Sequence, residues 1–210
     1  MRRRGLILVM IAWTSSNAGC GGPSATSPTP PAGGGRSASP ADAGEAPAAT
    51  TVGGVPLEPQ TALDGRLALL VPAGFSVMDE ETLRLKYPSE RRPTLVYTDE
   101  DASINVAVNH TKDRMPQREI RSFHAHMERM FRNLYPTAVW FQSGIIEIRG
   151  REWMALDLRT PAIDTEVRNI MVGTSLEGRL LLVSFNVTRE QEEEWIAPAE
   201  AIVQSLRVRE

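Results

Sequence analysis

Ile104, Val106 and Val108 alternate with Asn105, Ala107 and Asn109, the period-two pattern of a strand with one dry face and one partly polar face. A shorter apolar run at 95–98 precedes it across Asp99-Glu100-Asp101, which makes the pair a hairpin over 95–111. The same grammar returns twice. Runs 140–148 and 152–160 flank Arg149-Gly150, and runs 166–175 and 179–187 flank Glu177-Gly178. A glycine at each tip supplies the positive φ that a tight turn needs. Three hairpins favour an antiparallel sheet over parallel βαβ winding.

Elsewhere the rhythm is helical. From Pro116, a favourable first helical residue, to Leu134, the apolar positions Ile120, Phe123, Met127, Met130, Phe131 and Leu134 fall on one stripe. A short helix is predicted over 80–86, stopped by Pro88. A last helix is predicted from Thr188, which forms a capping box with Gln191, while Glu190, Glu192 and Glu193 sit where the helix dipole favours negative charge. Pro198 is expected to break or restart it, leaving Ile202, Val203 and Leu206 as a second apolar face. An opening strand over 66–71 is closed by Pro72, with a turn at Gly74-Phe75. Because the strand over 180–187 carries large apolar residues on both sides, both faces of the sheet should be covered. The expected class is α+β, a central antiparallel sheet flanked by helices as an α/β/α sandwich.

The first fifty residues follow neither rhythm. Arg2, Arg3 and Arg4 precede the apolar stretch 5–13 (GLILVMIAW), and together residues 1–19 read as an export signal. Nine helical residues reach about 14 Å, too short to span a bilayer. Asn17-Ala18-Gly19-Cys20 resembles the lipobox of bacterial lipoproteins, which implies acylation at Cys20, the one cysteine of the chain. Asn17 stands where that pattern usually has an aliphatic residue. Cleavage after Ala18 is the alternative, with Ser16 and Ala18 as the small residues such a cut requires. Of the thirty residues 21–50, twenty-seven are Gly, Pro, Ser, Ala or Thr. Such a segment lacks the apolar surface to offset its ordering entropy, and as a coil it holds its ends about 30 Å apart. Residues 20–51 therefore read as a tether and 52–210 as the folded domain. Gly21 after the cysteine leans toward the outer membrane by resemblance to enteric lipoproteins.

Two stretches of the domain carry a second resemblance. Leu70-Val71-Pro72-Ala73-Gly74-Phe75 and Ala201-Ile202-Val203-Gln204-Ser205-Leu206-Arg207-Val208 resemble the opening strand-to-turn step and the closing helix of the PsbP/Mog fold, which includes DcrB-like lipoproteins. The resemblance covers most of 60–210 and implies a non-enzymatic module that docks on other proteins. It transfers no binding residue by position.

Charge narrows the partners. Removing residues 1–19 takes away three basic residues and no acidic ones, leaving 20 basic against 26 acidic. With no basic stripe, nucleic acid is not an expected partner; a membrane, through acyl chains on Cys20, and an unidentified envelope protein are. No catalytic, cofactor or metal site is expected, with an exported hydrolase or small-ligand carrier of unrecognised site as the alternative. Ser175, between Gly173 and Gly178, sits at a hairpin rather than at the strand-to-helix corner of a nucleophile elbow. His124 and His126 are two apart on a helix and point about 200° away from each other, so they cannot share a metal. His110 reads as a strand-end residue with a local hydrogen bond. Asp99-Glu100-Asp101 lacks the alternation and glycine of a calcium loop, and Glu90-Arg91-Arg92-Pro93 reads as a charged loop. The sequons at Asn109 and Asn186 read as chance behind a bacterial-type leader. Trp140, Trp153 and Trp195 are expected in the core or at its rim, and whichever is exposed is the candidate anchor for a partner.

Overall fold

The computed structural model describes residues 46–89, 92–162 and 165–210. Cys20, the export signal, the tether up to residue 45, and Glu90 and Arg91 of the charged loop lie outside them.

The hairpins appear where the pattern put them. β5 (Leu95–Thr98) pairs with β6 (Asn105–Arg114), β7 (Val139–Ile148) with β8 (Arg151–Pro161), and β9 (Glu166–Leu176) with β10 (Arg179–Thr188). Arg149-Gly150 and Glu177-Gly178 have both central residues at positive φ, the turn whose twist matches the flanking strands. With β4 (Ser76–Val77) at one edge, the antiparallel order is β4-β5-β6-β10-β9-β8-β7.

One face of this sheet is packed by α2 (Ile120–Leu134), which buries Ile120, Met127 and Phe131 on Met154, Leu156, Leu158 and Met171. Gly173 lies under this layer. A Cβ there would come within 2.7 Å of Leu182 Cδ2 and 3.1 Å of Met154 Cγ, so the close approach requires the missing side chain. Leu134 departs from the expected stripe: the helix ends at it, and it is 47% exposed.

The opposite face differs from a simple helix layer. It is covered by α3 (Glu192–Ser205) together with a second sheet, β1-β2-β3-β11, built from β1 (Thr50–Val52), β2 (Val55–Ala62), β3 (Leu67–Pro72) and β11 (Arg207–Val208). The α/β/α description therefore holds only coarsely, and strand structure begins two residues before position 52. Prolines mask β2 in the sequence. Leu70, opposite Pro59, aims its N–H away from β2 at Ser205 Oγ (2.8 Å), so Pro59 sits at a pair that needs no N–H toward β3. α1 (Glu80–Lys86), capped by Asp79, packs over the β5–β6 end.

Pro198 does not break the last helix: α3 runs through it. The imino acid cannot donate to the carbonyl of Glu194, and the Gly53 turn between β1 and β2 packs over that carbonyl and the Pro198 ring. Thr188 Oγ1 meets the Gln191 side chain at 3.2 Å, around a 3₁₀ turn at Arg189–Gln191 that leads into the helix.

The two stretches that resemble the PsbP/Mog fold meet here. Ser205 Oγ accepts from the Leu70 N–H and donates to the Ile202 carbonyl (2.6 Å), while β11 pairs with β3. Pro72 and Phe75 close a turn around Gly74, and the Phe75 ring packs 5.7 Å from Trp195. Ser205→Ala strands the Leu70 N–H and should lower unfolding free energy by about 1–3 kcal/mol in a urea titration.

Candidate functional site

Most of the sequence candidates resolve into structural roles. Ser175 is buried at the end of β9, its N–H bonded to Gln117 and its carbonyl to Arg151. Asp99 organises the β5–β6 tip by accepting from the Ile104 N–H (2.9 Å) and the Ser103 hydroxyl (2.6 Å). Beside it the buried Lys86 donates to the Ala102 carbonyl; burial lowers its ammonium pKa, and the Asp99 charge opposes that. His110 Nε2 lies 3.1 Å from the Leu176 carbonyl, and burial lowers its pKa despite that contact. Among the described residues no group of His, Cys, Asp and Glu is arranged to hold a metal ion. None of their helices is long and apolar enough to cross a membrane.

His124 has a partner that spacing did not reveal. Its Nε2 is 2.9 Å from Ser143 Oγ on β7, and the Ser143 hydroxyl also bonds to Glu128.

The more informative assembly lies on the α3 side. β8 places Trp153 and Ala155 in the core and then continues the same face with Asp157 and Arg159; β9 adds Glu166 and Arg168, and the first turn of α3 adds Glu192. Arg168, 7% exposed, grips Asp157 with two hydrogen bonds (2.5 and 2.8 Å) and also donates to Glu192. Arg159 reaches Glu192 at 3.0 Å and Glu166 at 3.4 Å. Burial raises the Glu192 pKa, but hydrogen bonds from Arg159 and Arg168 outweigh it and hold the carboxyl below its ordinary value. Over this cluster lies Phe141, its ring centroid 3.2 Å from the Arg168 guanidinium carbon.

A bulge puts Phe141 there. Trp140 pairs with Leu158 and Gln142 with Asp157, so Phe141 is the extra residue. Trp140 stays on the α2 side, half-buried under Arg132 at 4.3 Å. Trp153 is fully buried, and Trp195 stacks on Phe185. Among the described residues the exposed aromatic is thus Phe141, at 45%, and not Trp140, Trp153 or Trp195. Leu134 and Val139, 47% and 41% exposed, bracket the turn leading to it.

Alongside runs a cleft of about 290 Å³ between α3 and the β7–β8–β9 face, with an apolar floor including Ile146, Ala155 and Val172. Gln142, Asp157, Glu200 and Gln204 supply its polar lining. Gly144 has nothing within 4 Å of where a Cβ would be, which leaves β7 bare at this level. An exposed aromatic backed by a rigid ion-pair cluster, beside an apolar cleft, can anchor a partner.

No known sequence family and no curated protein sequence matches the chain. Solved structures do. The chain superposes on cyanobacterial PsbP (CyanoP) from Synechocystis sp. PCC 6803 with a TM-score of 0.53 and 13% identity, over 73% of this chain and 92% of that one. The Ran-binding protein Mog1p of Saccharomyces cerevisiae follows with a TM-score of 0.44 and 16% identity, over 73% of this chain and 96% of that one. LpqN of Mycobacterium tuberculosis, involved in cell envelope biogenesis, gives 0.49 and 12%, over 73% and 91%. The chain has the PsbP/Mog-like fold.

Proposed function

We propose that this protein is a non-catalytic docking module of the bacterial cell envelope, exported and held to a membrane through acyl chains on Cys20. The observation that carries the docking role is Phe141: a bulge turns it outward, and the buried Arg168 cluster fixes it from behind. An aromatic held this way loses little conformational freedom on binding, which is the property of an interface anchor. The tether rests on Cys20 and the Gly/Pro/Ser/Ala/Thr-rich residues after it. Two acyl chains suffice for stable attachment, so Cys20→Ser should move the protein from the membrane to the soluble fraction.

The docking role is tested with a photocrosslinking amino acid placed at Val139 and, as a control, at Leu85, which is 58% exposed on α1. In whole cells the Val139 site should give a discrete adduct with another envelope protein, and the Leu85 site none. Equal labelling from both sites would remove the basis for a dedicated surface.

A further inference from the structure

Among the described residues the two sheets expose four edges, and three are blunted. β4 and β11 are two residues long and β1 three, and where β1 stops β2 continues with Pro59. β7 is ten residues long, VWFQSGIIEI, and no strand among the described residues pairs with its outer side. It contains no Lys, Arg or Pro, the residues that usually protect an edge; its bulge lies at one end. From Gln142 onward its unpaired N–H and C=O groups form a regular template.

Carboxylates stand on both faces of the regular part of this edge, while Arg132, Arg159 and Arg168 lie over Trp140 and Phe141 at its bulged end. Glu147 stands directly opposite Glu152, which is already paired with Arg121. Glu200 lines the cleft on the other face of the strand. Neither Glu147 nor Glu200 is in a salt bridge among the described residues. A strand laid along β7 would thus meet an unpaired carboxylate on either side, and the bare Gly144 would leave room for an apolar side chain turned toward α3.

We propose that β7 accepts an extended, basic segment of the docking partner as an eighth strand, with Lys or Arg facing Glu147 and Glu200 and an apolar residue over Gly144. This mode of binding rests on the docking function proposed above. Main-chain hydrogen bonds would supply affinity, and the two carboxylates would set the preference for basic sequences.

The probe is a capped synthetic peptide of alternating valine and lysine, compared with its glutamate counterpart and with a version interrupted by a central proline. Added to the full chain, the lysine peptide should slow amide hydrogen exchange across 142–148, and the other two should not. Its affinity should fall about tenfold in Glu147→Lys/Glu200→Lys. Both positions are exposed, and an unchanged melting temperature would verify that the variant is folded. Failure of the lysine peptide to protect β7, equal binding of the glutamate peptide, or self-association of the chain through β7 would overturn strand addition. An adduct at Val139 alongside any of these results would leave the docking function standing.

Discussion

Phe185→Ala should lower unfolding free energy by about 3–5 kcal/mol, the usual range for emptying a fully buried aromatic site. Phe185 is 2% exposed in the middle of β10, and its ring stacks on Trp195 at 6.2 Å. Trp195 in turn meets Phe75 of the opening turn, so one ring couples the large sheet, α3 and the segment after β3. The cavity would lie beneath α3, where neighbours on three elements restrain its collapse. Denaturant unfolding gives the loss directly, and a change below about 1 kcal/mol would show that α3 is not fixed through this contact.

Arg168→Ala should cost about 3 kcal/mol, the lower end of what breaking a buried ion pair costs, because the Asp157 and Glu192 side chains keep 15% and 14% exposure. The loss comes mainly from the two carboxylates left behind. Arg168→Met combined with Asp157→Leu should therefore recover part of it. The dependence on acid has a defined sign. The folded-state Glu192 carboxyl titrates below its ordinary 4.5, so its contribution is fully present above that pH and fades as pH falls through the folded value. Removing Arg168 takes away one of the donors responsible. Wild-type and variant stabilities should consequently converge in acid and separate toward neutrality. Parallel curves would mean that Arg168 acts through packing alone.

Much of the fold was legible because it rests on local pattern. The tips at Arg149-Gly150 and Glu177-Gly178, the Ile120–Phe131 stripe and the Leu70 and Ser205 stretches each encode their geometry within a few residues. β2 has no clear signal in the sequence because Pro56 and Pro59 interrupt it, and their tolerance depends on which partner strand each N–H position faces. Pro198 sits inside a helix that the Gly53 turn helps cover, a tertiary contact. The candidate site was harder still. Asp157, Arg168 and Glu192 converge across three elements, and Phe141 reaches them only through a bulge. The adjacent aromatics Trp140-Phe141, which break the alternation, and the charges at Asp157 and Arg159 on the face that begins with Trp153 and Ala155 were the signals present. Neither specifies a bulge without the partner strand.

The proposed docking function places activity in the Phe141 surface and not in a titratable site. The decisive measurement is the yield of the Val139 adduct in cells expressing Phe141→Ala, His124→Ala or Ser143→Ala, each checked for an unchanged melting temperature. Phe141→Ala should abolish the adduct while the other two retain it. Retention in Phe141→Ala, with loss in His124→Ala or Ser143→Ala, would contradict it and move the function to the α2 side of β7.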